Sequence, residues 1–202
     1  MTKKSAALAA IVAGLALMPT GSARGATVVL PRPGQVGIAG FGQYGTLFKS
    51  GDIGDDFNTG PGIGIRLRYR MRYERGLGLT FERQTFDPRV KAPGDTAAKK
   101  LVLIASGVEV YQMFGTRTRT VKMLSGGVGI AQVTQKLNDN ETKVGGQGVG
   151  DGFYASLGGE IEYFFWQTWA WDLSVRYHAV FLNQTTNHDL QISAGLIFYA
   201  GY

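Results

Sequence analysis

The sequence predicts an all-β fold, an eight-stranded antiparallel up-and-down transmembrane β-barrel, on three observations. Residues 63–74 alternate between apolar and mostly charged side chains, with Arg66, Arg68, Arg70 and Arg72 on one face. The same two-faced pattern returns in later segments, and no stretch of sequence remains to cover the apolar faces, so we expect lipid to cover them. Long and short connections alternate between the eight segments, which is typical of barrels with short periplasmic turns and long outer loops.

The composition argues against several other classes of protein. The 202 residues suit one domain, and no apolar run reaches the roughly 18 residues of a membrane-spanning helix. The absence of cysteine excludes disulfides, thiolate metal sites and thiol nucleophiles. The net charge of +6 is spread through the chain, so a nucleic-acid partner is not predicted. The arginines of residues 63–74 alternate with side chains too apolar for a wet phosphate-binding ribbon, although contact with phosphate or lipopolysaccharide is the alternative interpretation.

The N-terminus predicts export. Residues 1–25 have the layout of a cleavable secretory signal peptide, because two lysines precede an apolar segment and small residues between Ala23 and Ala26 suit cleavage. An N-terminal membrane anchor would need a longer apolar run. Residues 26–202 are then the barrel domain.

The first three strands differ in how clearly they alternate. Strand 1, at residues 35–48, is rich in glycine, which leaves its inward face open. A polar loop at residues 49–61 leads to strand 2, which carries the strict alternation described above. A tight turn at Arg75 and Gly76 connects strand 2 to strand 3, residues 77–86, and predicts a hairpin.

Strands 4 and 5 follow a second loop at residues 87–99. Strand 4, at residues 100–114, places branched apolar residues on one face and Glu109 on the other. A short turn at residues 115–119 leads to strand 5, residues 120–134, whose glycines and serines leave its inward face open.

The last three strands restore the clean alternation. After a loop at residues 135–152, strand 6 covers residues 153–165 and a brief turn connects it to strand 7, residues 169–181. Strand 8, residues 190–202, follows a loop at residues 183–189 and ends on an aromatic residue.

Aromatic residues cluster where the predicted strands meet the short turns, as an interfacial girdle does. The predicted girdle consists of Tyr69, Tyr73, Phe114, Tyr163, Phe165, Trp166, Trp169, Trp171, Phe198 and Tyr202.

With these strands, the chain resembles the small eight-stranded outer-membrane barrels of the OmpX and OmpA transmembrane-domain kind. The closing sequence LIFYAGY at residues 196–202 is similar to the terminal aromatic signal of this class. The resemblance implies a place in the Gram-negative outer membrane, contact with membrane lipid and lipopolysaccharide, and the outer-membrane insertion machinery as a partner during biogenesis.

A barrel of eight strands is just wide enough for its interior side chains to fill it. If strands 2 and 3 pair through Arg75 and Gly76, Glu82 lies across from Arg68 or Arg70. A desolvated charge left alone costs several kcal/mol, so a nearly balanced set of inward charges predicts a paired network that closes the lumen. The predicted lumenal ion network consists of Arg66, Arg68, Arg70, Arg72, Glu74, Glu82, Glu109, Glu160, Glu162, Asp172 and Arg176.

The main functional prediction is therefore non-enzymatic: envelope structure, with surface loops available for adhesion or for contact with lipopolysaccharide and other ligands. The loops lie at residues 49–61, 87–99, 135–152 and 183–189. No cofactor or metal is predicted, because the chain has two histidines and its loop aspartates do not match the spacing of a calcium loop. A narrow pore for small solutes or hydrophobic ligands is one alternative.

A lipid A modifying enzyme is another alternative, since some eight-stranded outer-membrane barrels are deacylases or acyltransferases. His178, Ser193, Ser156 and Glu160 are all predicted to point inward and supply a base, two candidate nucleophiles and an acid. Plausible strand registers place Ser193 across from His178, and Ser156 on strand 6 is another possible neighbour. The deacylase family carries a histidine followed two residues later by serine, whereas Val180 stands at that place after His178. The sequence favours His178 as a hydrogen-bonding member of the polar interior.

Overall fold

The computed structural model describes residues 32–49, 51–89, 100–137, 140–142, 150–182 and 185–200. The predicted signal peptide lies outside the described residues. Within the described part of the chain, no helix is both long and apolar enough to cross a membrane.

Eight long antiparallel strands form a closed barrel, which confirms the predicted fold. Each long strand pairs with the next long strand along the chain, and the last pairs with the first. A ninth, short strand follows the fifth in sequence and pairs only with its end. The elements are β1 (Val36–Leu47), α1 (Gly51–Asp56), β2 (Thr59–Arg70), β3 (Arg75–Phe86), β4 (Lys100–Phe114), β5 (Thr120–Leu137), β6 (Asn140–Thr142), β7 (Gly150–Phe164), β8 (Trp169–Leu182) and β9 (Thr185–Ala200).

The barrel buries polar side chains in the middle of its interior and exposes apolar side chains on its outside. Ile63, on the outward face of β2, is 68% exposed, whereas Arg66, on the inward face of the same strand, is 0% exposed. A continuous apolar surface of this kind is unfavourable in water, so it indicates that the outside of the barrel contacts lipid. The sequence left the inward faces of strands 1 and 5 open, and the structure assigns both. Phe41 faces the interior from β1, and Met123 faces it from β5.

The two ends of the barrel differ. The turn end carries the short connections at residues 71–74, 115–119 and 165–168, together with the start of β1 and the end of β9. The loop end carries α1, β6 and the remaining connections.

The β2–β3 turn begins four residues earlier than predicted. The backbone N–H groups of Met71 and Arg72 both donate to the carbonyl of Arg75, at 3.1 and 3.0 Å, so residues 71–74 form the turn. Arg72 and Glu74 are therefore exposed in this turn, and their predicted place in the lumen was wrong.

The corrected turn also changes the β2–β3 register. Glu82 pairs with Gly64 rather than with Arg68 or Arg70. The partners of Arg68 and Arg70 are Gly78 and Gly76, which leave interior space for two long guanidinium side chains.

Four strands extend further toward the loop end than predicted: β2 begins at Thr59 and β7 at Gly150, inside the predicted loops, and β5 and β9 are also longer. β5 continues to Leu137 and pairs with β6, so a hairpin occupies part of the predicted loop at residues 135–152. β9 begins at Thr185 rather than residue 190, because Asn187 and Asp189 continue its alternation with buried side chains. Most of the predicted loop at residues 183–189 is therefore strand.

Candidate functional site

The centre of the barrel interior holds four arginines on opposite walls. Arg66, Arg68 and Arg70 project from alternate positions of β2, and Arg176 projects from β8; each is at most 2% exposed. Period-two alternation places the three β2 guanidinium groups on one side of one strand, so they form a column along the lumen.

Carboxylates from the facing strands bind these guanidinium groups. Arg68 Nη2 lies 2.6 Å from Glu160 Oε2 and 3.2 Å from Asp172 Oδ2, and Arg68 Nη1 also donates to Glu162. Arg70 Nη2 donates to Glu162 Oε2 at 3.1 Å. Arg176 donates to both Glu109 and Glu160.

Arg66 completes the network at its edge nearer the loop end. Its Nη1 donates to Glu160 Oε2 at 3.3 Å, and its Nε lies 3.7 Å from Glu109 Oε2. Its Nη2 lies 3.9 Å from Glu82 Oε1, and neither carboxylate oxygen of Glu82 accepts a hydrogen bond. The ion network thus combines closely paired carboxylates with one carboxylate, that of Glu82, which is only loosely paired.

Each arginine of β2 also lies over an aromatic ring. The Cζ atoms of Arg66 and Arg68 are 4.5 and 4.7 Å from the ring centres of Phe41 and Tyr111. Arg70 lies 5.2 Å from the ring centre of Tyr199. These cation–π contacts fix the guanidinium planes and replace part of the hydration that the side chains lose in the interior.

A layer of buried amides lies on the loop-end side of the ion network. Gln84 accepts hydrogen bonds from Gln43 at 3.4 Å and Gln191 at 2.9 Å, and Gln191 also donates to Asp189 Oδ2 at 2.8 Å. The sequence did not predict Asp189 as an interior residue, because it placed Asp189 in the loop at residues 183–189. Gln191 lies within predicted strand 8 and shares the inward face of Ser193, although it was not named as an interior residue.

Apolar layers close the interior above and below the polar groups. The loop-end layer comprises Leu47, Ile53, Phe57, Phe86, Leu101, Leu103, Ala105, Ala131, Val133, Tyr154, Val180 and Leu182. The turn-end layer comprises Ala39, Tyr111, Met113, Val121, Met123, Phe164, Ala170, Ile197 and Tyr199. The described interior is therefore a packed core with a charged centre.

The segment containing α1 closes the loop end. Ile53 and Phe57 insert into the loop-end apolar layer, and the Ile53 N–H donates to Asn187 Oδ1 at 3.0 Å. Arg89 donates to the carbonyls of Gly54 and Leu47 at 2.8 and 2.7 Å. The segment is thus held by both apolar packing and hydrogen bonds.

The residues considered for catalysis assemble only in part as the sequence suggested, because Ser156 lies across from His178 but Ser193 does not. His178 pairs in register with Ser156 and Asp189, whereas Ser193 lies across from Ser174, and their Oγ atoms are 2.6 Å apart. Expecting Ser193 across from His178 was wrong, because β9 starts earlier and shifts the pairing. Glu160 is engaged by three arginines and is not available to orient His178. Among the described residues, no group of three or more histidine, aspartate or glutamate side chains is arranged to hold a metal ion.

Comparison with known proteins identifies the family. The sequence model for the outer membrane protein β-barrel domain matches residues 6–198, nearly the whole chain. The chain belongs to the outer membrane protein β-barrel domain family. Comparison with curated protein sequences gives no match.

Solved outer-membrane barrels share the fold. Neisserial surface protein A (NspA) has a TM-score of 0.59 at 16% identity, covering 82% of this chain and 98% of NspA. OprG from Pseudomonas aeruginosa has a TM-score of 0.58 at 13% identity, covering 87% of this chain and 100% of OprG. Ail, the attachment invasion locus protein of Yersinia pestis, in complex with the heparin analogue sucrose octasulfate has a TM-score of 0.53 at 12% identity, covering 82% of this chain and 99% of Ail.

The outward surface of this outer-membrane barrel carries the predicted aromatic side chains at its turn end. Tyr69, Tyr73, Phe114, Tyr163, Phe165, Trp166, Trp169 and Trp171 are exposed. Phe198 is half-buried, with its ring centre 5.0 Å from that of Trp169. Tyr202 lies outside the described residues.

Proposed function

We propose that this protein is a non-enzymatic integral component of the Gram-negative outer membrane, in which the closed barrel serves envelope structure and the loop end contacts surface ligands. The observation that carries the proposal is the ion network that spans the lumen between two apolar layers. A structural barrel benefits from such an interior, because paired charges joined across the lumen hold facing strands together.

A closed lumen argues against the alternative of a narrow pore. A solute would have to displace Phe86 or Leu101 at the loop end, then separate Arg68 from Glu160, and finally pass Phe164 at the turn end. Breaking a buried ion pair costs about 3–5 kcal/mol, so passage by thermal fluctuation is disfavoured.

The position of His178 supports a non-enzymatic role. Its side chain is 2% exposed, and its ring centre lies 5.3 Å from that of Tyr154 in the loop-end apolar layer. A lipid A modifying site would have to admit an acyl chain to a base that faces the lumen, while the acyl chains lie against the outside of the barrel.

The loop end provides the surface for ligands. The α1 segment within residues 49–61 and the β5–β6 hairpin within residues 135–152 give this end ordered structure. Of the other two predicted loops, residues 90–99 lie outside the described residues, and residues 185–189 belong to β9. Ail has been solved with a heparin analogue, which provides a precedent for a sulfated saccharide ligand on a barrel of this fold. Adhesion or contact with lipopolysaccharide is therefore the surface role that we assign to this chain.

The proposal includes export through a signal peptide at residues 1–25 and assembly by the outer-membrane insertion machinery. N-terminal sequencing of the protein from isolated outer membranes tests the first part, and a mature chain that begins between Ala23 and Ala26 is expected. A chain that retains residues 1–25 in the membrane would contradict it.

The full chain refolded in planar bilayers and incubated with purified lipid A tests the central proposal. We expect no stable unitary currents and no change in lipid A mass. Steady single-channel currents would establish the pore instead. Loss of an acyl chain with the wild type, abolished by His178→Ala, would establish the enzyme.

A further inference from the structure

The β2–β3 turn brings two exposed arginines together. The Arg72 N–H donates to the Arg75 carbonyl at 3.0 Å, and the Arg75 N–H donates to the Arg72 carbonyl at 3.4 Å. Both side chains are exposed, and neither forms an ion pair within the described part of the chain. Like charges at the two ends of one turn repel each other, and Glu74 between them offsets only one of the two, so the turn keeps a net positive charge that an anion would balance.

Neighbouring strands extend this positive charge around the turn end. Arg75 pairs in register with Gln112 of β4, and two residues further along β4, Phe114 pairs with Lys122 of β5. Arg117 is exposed in the turn that connects β4 to β5. Arg72, Arg75, Arg117 and Lys122 thus form a surface across β3, β4 and β5, which we name the basic patch.

Two members of the basic patch lie on the lipid-facing side of the barrel. Arg75 is on the same face of β3 as Leu77, which is 42% exposed, and Lys122 is on the same face of β5 as Leu124, which is 57% exposed. A cation at such a position extends along the apolar surface until its charged group reaches the lipid headgroups. Phe114 and Tyr163 lie close to the same turn end and mark the headgroup level.

Among the residues that the structure describes, an excess of exposed positive charge is found at the turn end and not at the loop end. Within the described residues, Glu74 is the exposed acidic side chain there, against the four cations of the basic patch. At the loop end, the exposed cations Lys49, Arg83 and Lys100 are balanced by the exposed acids Asp55, Asp56, Asp87 and Asp151. A barrel that is only anchored in the membrane would not need more positive charge at one end than at the other.

We propose that the basic patch binds the phosphate headgroups of anionic phospholipids in the periplasmic leaflet. This inference rests on the proposed function, which places the turn end in the periplasmic leaflet. Guanidinium groups bind phosphate through paired N–H donors, and Lys122 adds a point charge beside them. A phosphate at the β2–β3 turn would also relieve the repulsion between Arg72 and Arg75.

Lipid competition in mixed micelles tests this inference. The full chain is refolded with equal amounts of phosphatidylglycerol and phosphatidylcholine, and the retained lipids are counted by native mass spectrometry. The test variant is Arg75→Gln with Lys122→Gln, and the matched control is Arg83→Gln with Lys100→Gln at the loop end. Each cation near an anionic surface contributes on the order of a fivefold preference at low salt, so the test variant should lose roughly 25-fold of the preference. The control should keep the wild-type preference.

The outcomes separate this inference from the proposed function. A chain that folds in phosphatidylcholine micelles but shows no preference for phosphatidylglycerol overturns the basic patch and leaves the barrel proposal intact. In a second mixture, which contains lipopolysaccharide and phosphatidylglycerol, a preference for lipopolysaccharide that disappears in the test variant would indicate the opposite leaflet and would also overturn the inference. A chain that enters no lipid environment overturns the proposed function itself.

Discussion

Arg68 and Glu160 meet across the full width of the lumen, with 2.6 Å between Arg68 Nη2 and Glu160 Oε2. Their strands, β2 and β7, stand four places apart in either direction around the ring of eight strands. The contact therefore joins opposite walls of the barrel. Because both side chains are fully buried, it also fixes the distance between those walls.

Replacing Glu160 should destabilise the barrel more than replacing any carboxylate at the edge of the network. Glu160 is bound by Arg66, Arg68 and Arg176, so Glu160→Gln leaves buried guanidinium groups without full compensation. We expect the free energy of unfolding to fall by about 3–5 kcal/mol. Guanidinium chloride unfolding in phosphatidylcholine vesicles, followed by tryptophan fluorescence, measures it.

Glu82→Gln is the matched control for that experiment. Its carboxylate oxygens accept no hydrogen bond, and the nearest guanidinium nitrogen, Arg66 Nη2, lies 3.9 Å away. The neutral amide should cost less than about 1 kcal/mol, because it removes a desolvated charge with little pairing to lose. Equal losses for Glu160→Gln and Glu82→Gln would show that the network contributes no specific stabilisation.

The same substitution should destabilise the barrel at Arg70 and have little effect at Arg72. Arg70 is buried, bound to Glu162 and stacked on Tyr199, whereas Arg72 is exposed in the turn. We expect Arg70→Met to lower the free energy of unfolding by about 3 kcal/mol, and Arg72→Met to change it by less than about 0.5 kcal/mol. The same unfolding measurement in phosphatidylcholine distinguishes them, and a large loss from Arg72→Met would place that side chain in the lumen after all.

This contrast also shows what alternation can predict and what it cannot. The period-two pattern predicted the inward direction of Arg66, Arg68 and Arg70, because side-chain direction follows from strand geometry alone. The same pattern continues through Arg72 and Glu74, although the strand ends at Arg70. Turn position depends on backbone hydrogen bonds to Arg75, which the alternation of side chains does not encode.

The pairing register of β8 and β9 could not be predicted from the sequence for a related reason. Placing Ser193 across from His178 required the length of the β8–β9 connection, and the strand-like residues from Thr185 onwards make that connection shorter than its polarity suggested. A shift in this connection changes every partner along the hairpin, so individual side-chain contacts could not be predicted even though both inward faces could.

The glycines of β1 should tolerate alanine on one face only. A Cβ added at Gly37 would lie 2.7 Å from Tyr199 Cε1, whereas one added at Gly40 meets nothing within 4 Å. Gly37→Ala should lower the free energy of unfolding by about 1–3 kcal/mol through overpacking. Gly40→Ala should raise it by about 0.4–1 kcal/mol, because it reduces the entropy of the unfolded chain. A stabilising Gly37→Ala would mean that Tyr199 moves aside without loss.

Arg89 should control the local stability of the segment that closes the loop end. Its side chain donates hydrogen bonds to Gly54, Asn58 and Leu47, and it does not contribute to the ion network. Arg89→Ala removes these bonds, so amide exchange across residues 51–58 should become about 10- to 100-fold faster while the barrel strands keep their protection. Hydrogen exchange in detergent micelles, read by mass spectrometry, resolves the two regions.

Lys100→Ala provides the control, because it also removes a cation at the loop end. Lys100 pairs with Asp87 at 3.5 Å, but both side chains are at least half exposed, and such pairs contribute at most about 1 kcal/mol. Exchange in residues 51–58 should therefore stay at the wild-type rate. If Arg89→Ala also leaves it unchanged, the apolar packing of Ile53 and Phe57 holds α1 in place without the hydrogen bonds from Arg89. If protection is lost throughout the barrel instead, the segment and the strands open as one cooperative unit.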